Sequence, residues 1–136
     1  MVDNLTPVLR SWNMSRIRSK NTRPEIIVRS LLHGMGYRFR LFNSKLPGNP
    51  DIILPRRKKI IFVNSCFFHR HPGCRKATTP KSNVQYWLTK FQKNMLRDEK
   101  VKNLLEIAGW KVFTIWECQI KDIDQLKETL KQYMNE

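Results

Sequence analysis

The sequence predicts an α/β domain in which helices pack on one mixed β-sheet, in the order α-β-β-β-α-β-α. Three observations carry this. Short apolar or alternating runs bounded by turn residues fall at 37–42, 51–54, 60–63 and 110–116. Two stretches of helical spacing run into glycine, at Gly34 and Gly36 and again at Gly109. The long helical pattern lies between the third and fourth strand runs, and such a crossover between parallel strands of one sheet is expected to be right-handed. At 136 residues the chain is long enough for one domain with its own core.

Taken in order, residues 1–21 read as a polar, basic arm, and 22–136 as the domain itself. Thr22-Arg-Pro-Glu25 is a helix start: Thr22 is a suitable N-cap, Pro24 fits the first turn, and Glu25 completes a capping box. Ile26, Ile27, Leu31 and Leu32 form its apolar stripe. Tyr37 to Phe42 alternates apolar and basic residues, as a half-buried strand does. Residues 43–50 are turn-rich. Asp51-Ile-Ile-Leu54 is a short apolar strand, and Pro55 to Lys59 a charged turn. Ile60-Ile-Phe-Val63 is apolar on both faces, which suits a central strand. After a loop over 64–80, helical spacing runs over 83–108 through Trp87, Phe91, Met95, Val101, Leu104 and Leu105. Trp110 to Trp116 alternates again. Asp122 or Asp124 then caps a last amphipathic helix carrying Leu126 and Leu130.

The charge balance narrows the function. There are 26 Lys and Arg against 11 Asp and Glu, a net +15, with pI about 10.3. That excess fits a polyanionic partner such as nucleic acid. It is clustered, at Arg16, Arg18, Lys20 and Arg23, at Arg56 to Lys59, at Arg70, Arg75 and Lys76, and at Lys90, Lys93 and Arg97. There is no apolar run of bilayer length and no signal-peptide pattern at the N-terminus. Three cysteines without a secretory signal favour metal-bound thiolates in a reducing cytoplasm over a disulfide framework.

The chemistry concentrates in Cys66-Phe-Phe-His69-Arg-His71-Pro-Gly-Cys74. With Cys118 beyond the fourth strand, these residues offer a Cys₃His set for a tetrahedral Zn²⁺ with no open position, hence a structural site. Spacing leaves open whether His71 or His69 is the nitrogen ligand. A spare His69 suits a general base or a phosphate contact. Asp51, at a strand start facing a basic region, suits Mg²⁺ between protein and phosphate, though a turn-ending Asp is common. Glu25 is explained by the capping box alone, and Asp98 by a solvated charge pattern on its helix. Phe67 and Phe68 cannot both face a core from one strand; with Trp87 they are candidates to stack on bases or wedge between base steps.

The order of motifs is itself informative. Met14-Ser-Arg-Ile17, Thr22-Arg-Pro-Glu25, Leu46-Pro-Gly-Asn-Pro-Asp51, Ile61-Phe-Val-Asn-Ser-Cys66-Phe-Phe-His69-Arg-His71, Asn94 with Arg97-Asp98, Gly109-Trp-Lys-Val and Trp116-Glu-Cys118 follow one another over residues 12 to about 120. In this the chain resembles the very-short-patch repair (Vsr) endonucleases, which nick DNA at T:G mismatches. The resemblance implies a restriction-endonuclease-like fold, a variant of the PD-(D/E)xK nucleases. It implies Asp51 and the Val63 backbone carbonyl as ligands of catalytic Mg²⁺, with Glu25 beside them organising metal-bound water. His69, oriented by Asp98, would activate the attacking water. Cys66, His71, Cys74 and Cys118 would hold structural Zn²⁺. Phe67, Phe68 and Trp87 would intercalate beside the mismatch while the segment around Met14 and Arg16 grips the opposite groove, with Lys90 and Asn94 also on the DNA side.

Three departures follow from the same resemblance, the mildest being Val63, whose family counterpart is often Thr, a change that a backbone ligand tolerates. The family usually reads His-Gly-Cys-Phe-Trp-His where this chain has Asn64-Ser65-Cys66-Phe67-Phe68-His69, so a family histidine near the reacting phosphate is Asn64 here. The second loop cysteine is displaced by an extra residue in His71-Pro-Gly-Cys74. The expected function is a monomeric, cytoplasmic, nucleoid-associated enzyme. It would nick one strand of duplex DNA beside the T of a T:G mismatch left by deaminated 5-methylcytosine, with repair proteins as further partners. Asn64 keeps a rival in play, an inert mismatch-binding protein of the same fold. A nuclease with another DNA target is the other.

Overall fold

The computed structural model describes residues 21–42 and 45–136. Its elements are α1 (Arg23–Gly34), β1 (Arg40–Leu41), β2 (Ile52–Leu54), a 3₁₀ turn (Pro55–Arg57), β3 (Lys59–Asn64), α2 (Val84–Ile107), β4 (Lys111–Trp116), a second 3₁₀ turn (Glu117–Lys121) and α3 (Ile123–Asn135). The four strands form one mixed sheet in the order β1-β2-β3-β4. β2 runs antiparallel to both β1 and β3, whereas β3 and β4 are parallel, with Lys59 opposite Lys111 and Asn64 opposite Trp116. The expected β-α-β crossover is therefore present, and β3 is interior to the sheet.

Both faces of the sheet are covered, which is why β2 and β3 read as continuous apolar runs rather than alternating ones. On one face Ile52, Leu54, Ile61 and Ile115 meet Val28 and Leu32 of α1 and Leu126, Leu130 and Met134 of α3. On the other, Ile53 and Ile60 meet Leu105 of α2, with Val101, Trp110 and Val112 around them. All of the first set and Ile60 and Leu105 of the second are essentially inaccessible to water. Burying a side chain of this size is worth roughly 1.5–3 kcal/mol.

Helix ends follow the glycines for a specific reason. Gly36 has φ +91° and Gly109 φ +96°, a region that favours residues without Cβ. Each sits in a Schellman motif. Gly36 N–H donates to His33 O and Tyr37 N–H to Leu32 O, both at 3.0 Å; Gly109 N–H donates to Glu106 O and Trp110 N–H to Leu105 O, also at 3.0 Å. The apolar residue after each glycine packs in the same cluster as the leucine whose carbonyl it caps. Asp122, rather than Asp124, caps α3 by accepting from Gln125 N–H at 3.1 Å.

Three expectations need correcting. The strand over 37–42 shortens to Arg40–Leu41, because the Tyr37 amide closes α1 and Phe42 turns to φ +47°, outside the β region. Tyr37 and Phe39 still pack inward, but Leu41, the next apolar position of the alternation, is exposed and the ladder is short. Met95 and Leu104 of α2 are exposed: Phe91 and Leu105 supply its buried positions. Lys59 belongs to a buried strand end, not to the charged turn. Its Nζ donates to the carbonyls of Tyr133 and Met134 at 2.7 Å each, satisfying the last turn of α3.

Candidate active site and metal centre

The sheet places Asp51 and the end of β3 side by side, since Ile52 pairs with Ile61. Asp51 Oδ2 accepts from Val63 N–H at 2.7 Å. This clamp fixes the carboxylate beside the end of β3, in the groove that both residues line. Gly48 lets the preceding loop reach that position: at φ +74°, a Cβ there would lie 2.5 Å from Val101 Cγ1 of α2. Burial, opposed by the Val63 hydrogen bond and reinforced by the negative charge of Glu25, pushes the Asp51 carboxyl up to about 6.

Glu25 is only 2% exposed, an unusual state for a carboxylate. Its Oε2 accepts from Asn21 N–H at 2.9 Å and from Arg29 Nη2 at 2.9 Å. Thr22 Oγ1 accepts from Glu25 N–H at 3.5 Å, so the N-cap is as expected, but the reciprocal bond goes to Asn21 rather than Thr22. Two acidic side chains thus face one site, and burial, with a smaller contribution from Glu25, pushes Asp51 toward neutrality. That donor set fits a divalent cation, whose charge would relieve both burial and mutual repulsion.

Across the same groove, His69 Nδ1 lies 2.5 Å from Asp98 Oδ2. Asp98 is therefore a partner of the loop histidine, not a solvated helix charge. The groove, of about 1520 Å³, is lined by Glu25, Asp51, Val63, Asn64, His69 and Asp98, together with Phe68, Lys90 and Asn94. Asn94 Nδ2 donates to Phe68 O at 3.2 Å, tying α2 to the loop backbone. Met14 and Arg16 lie outside the described residues.

The loop after β3 winds tightly. Phe68 N–H meets Ser65 Oγ at 3.3 Å, His69 N–H meets Ser65 O at 3.2 Å, and His71 N–H meets Cys66 O at 3.0 Å. This turn sends His69 and His71 in different directions and settles which is available to the thiols. The ligand atoms of Cys66, His71, Cys74 and Cys118 all lie within 4.8 Å of one another. His71 Nδ1 is 3.6 Å from Cys66 Sγ and 3.4 Å from Cys118 Sγ. Zn–S and Zn–N bonds of usual length at tetrahedral angles would separate sulfur from nitrogen by about 3.6 Å, so the spacing fits a four-coordinate ion. Burial pushes the Cys66 thiol up to about 12, whereas the backbone N–H of Lys76 lowers that of Cys74. The His71 ring stacks on Trp116, centroids 4.3 Å apart.

The aromatic candidates divide. Phe68 lines the groove. Phe67 is held edge-to-face by Phe68, Trp87 and Phe91 at 5.0–5.5 Å. Sequence reasoning missed Glu117, whose Oε1 accepts from Cys66 N–H at 3.1 Å, and Arg29, which holds Glu25. The Trp116-Glu-Cys118 motif carried a signal for Glu117; the i,i+4 spacing of Glu25 and Arg29 carried one for the other.

The family model for "DNA mismatch endonuclease Vsr" matches residues 2–76, more than half of the chain. The chain belongs to the Vsr family of DNA mismatch endonucleases. Among curated relatives, the type II nicking enzyme V.XorIIP of Xanthomonas oryzae pv. oryzae is 45% identical over 135 residues, covering 99% of this chain and 98% of that protein. The type II nicking enzyme V.NmeAIP of Neisseria meningitidis serogroup A is 40% identical over 136 residues, covering 100% and 96%. The DNA mismatch endonuclease Vsr of Escherichia coli is 34% identical over 128 residues, covering 94% and 81%. Membership makes this chain a DNA endonuclease by family. The Vsr-family chain also has, among its described residues, no helix long and apolar enough to cross a membrane.

Proposed function

We propose that this protein is a Mg²⁺-dependent endonuclease that nicks one strand of duplex DNA beside the T of a T:G mismatch, starting very-short-patch repair in the cytoplasm. The observation that carries the reading is one groove holding the Asp51–Val63 clamp, buried Glu25 and the His69–Asp98 pair. The mixed sheet with helices on both faces supports a restriction-endonuclease-like, PD-(D/E)xK-variant fold. We place the arm over 1–21 on DNA, with Met14 and Arg16 toward the groove opposite the loop.

Asp51 and the Val63 carbonyl would hold Mg²⁺, with Glu25 alongside; bound there, the ion supplies charge stabilisation at the reacting phosphate. Asp98 engages Nδ1 of His69, which leaves Nε2 free to take a proton from the attacking water. The water oxygen bonds to phosphorus, the P–O bond to the leaving strand end breaks, and that oxygen takes up a proton from solvent while His69 later returns its own to solvent. Asn64 lines the groove where the family histidine stands. It can donate a hydrogen bond to a phosphate oxygen but cannot titrate near neutrality. Cys66, His71, Cys74 and Cys118 would hold a structural Zn²⁺ that closes the loop carrying His69.

Phe68, backed by Phe67 and Trp87, would stack at the mismatch. A mispaired step costs less to unstack than a paired one, so the wedge itself discriminates. Lys90 and Asn94, on the groove wall, lie where a DNA backbone would pass. A monomer suffices for one nick. The test is a panel of duplexes carrying each mismatch, with and without Mg²⁺. Magnesium-dependent nicking confined to T:G supports the reading; double-strand cutting of matched DNA would replace it with a different nuclease, and tight T:G binding without nicking with an inert binder.

A further inference from the structure

Arg70 is part of a basic run and looks like a phosphate contact. Its guanidinium is instead engaged within the fold. Nη1 donates to Thr78 O at 2.8 Å and weakly to Phe67 O at 3.4 Å, while Nη2 donates to Ala77 O at 2.9 Å and reaches Thr79 Oγ1 at 3.5 Å. The same group lies 4.0 Å over the ring of Phe91 and 5.9 Å from that of Phe67. Two backbone carbonyls, met by the two arms of one planar fork, is a geometry that Arg offers and Lys does not. The Arg70 backbone has φ +56°, a left-handed conformation that is unfavourable for a residue with a Cβ. The surrounding contacts must hold it there.

Position gives this residue its consequence. Arg70 stands between His69, paired with Asp98, and His71 of the Cys₃His cluster. Its side chain ties the chain beyond Cys74 to the rings of Phe67 and Phe91, and Phe67 in turn abuts Phe68 and Trp87. We propose that Arg70 is a positioning residue that latches the segment over 77–79 onto the aromatic cluster and so fixes the DNA wedge, rather than a contact to DNA. The link to mismatch discrimination rests on the function proposed above.

The test uses the full-length, zinc-loaded protein with Arg70→Ala and Arg70→Lys. Hydrogen exchange over residues 75–82, measured without DNA, should quicken in both variants, because Ala has no donor and Lys lacks the planar fork that meets both carbonyls while stacked on Phe91. Preference for T:G over matched duplex should fall by roughly 10-fold in both, within what base stacking is worth. The salt dependence of binding should keep its wild-type slope in Arg70→Ala, since no phosphate contact is lost. A slope flattened by about 0.9 with unchanged exchange would make Arg70 a phosphate ligand and overturn the proposal. So would Arg70→Lys behaving as wild type, since charge alone would then suffice. If Arg70→Ala fails to fold, Arg70→Lys decides. A wild type with no mismatch preference would sink the functional reading while the exchange data still judge the latch.

Discussion

Replacing Asp51 by Asn should inactivate the enzyme and stabilise it. Asn keeps an oxygen to accept from Val63 N–H but carries no charge. In the native chain the Asp51 carboxyl stands at about 6 instead of 3.8, chiefly through burial. The folded state therefore holds the proton more tightly than the unfolded chain does. Below about pH 4 both states are protonated and nothing is lost. As pH climbs toward about 6 the unfolded chain ionises first, and the native state is progressively destabilised; above about 6 the loss is complete. A shift of about two units corresponds to about 3 kcal/mol. Water reaches part of this half-buried group, so the realised effect is about 1–3 kcal/mol. For a chain of this size that is a gain of roughly 3–10 °C in Tm for Asp51→Asn at pH 7.5. The assay is thermal unfolding of both proteins in magnesium-free buffer from pH 4 to 8, with no chelator that would strip the Cys₃His cluster. The wild-type and Asp51→Asn curves should diverge between about pH 4 and 6. Mg²⁺ should then raise the wild-type Tm, by linkage, and leave Asp51→Asn unmoved. Parallel pH profiles, or a variant no more stable than wild type, would refute the claim that this carboxylate is held ready for a cation.

Further outcomes test the remaining parts. Metal analysis should find about one Zn per chain, and Cys118→Ser should lose both metal and cooperative unfolding, because ligands from two distant segments are joined there; a stably folded, metal-free wild type would contradict it. Phe67→Ala with Phe68→Ala should cut the T:G preference more than overall affinity, by the roughly 1–3 kcal/mol that stacking is worth per base; equal losses on matched and mismatched duplex would make the pair structural only. In single-turnover nicking, Asn64→His should raise the rate about 10-fold or more if a titratable group at this position assists the reaction; a fast wild type that the substitution slows would show that none is needed.

What could be read from the sequence was what local chemistry determines. Gly36 and Gly109 stop helices because their own φ angles, their own amides and the amide that follows each do the capping, all within one turn. The Cys₃His set was legible because few residue types serve as ligands, yet the choice of His71 over His69 was not. That choice is made by the turn at Ser65 and by Trp116, which offers its ring face to His71 from another strand. The His69–Asp98 pair came only from the family resemblance, since on its helix Asp98 by itself looks like any solvated charge. Lys59 was misread because its partners are main-chain carbonyls of residues far along the chain, and a carbonyl leaves no mark in sequence.

The charge count shares this blindness, with a consequence for function. The excess of +15 treats every cation alike. Yet Lys59 caps α3, Arg29 holds Glu25 and Arg70 bridges carbonyls, so three cations of the basic excess are turned inward. Lys90 and Arg97, by contrast, stand exposed on α2 along the groove that contains Asp51 and His69. These two cations stand where the proposed DNA path would bring a phosphate close to that groove. The number of phosphates neutralised, and hence the salt dependence of binding, should follow these groove-side cations together with those of the N-terminal arm, and not the total.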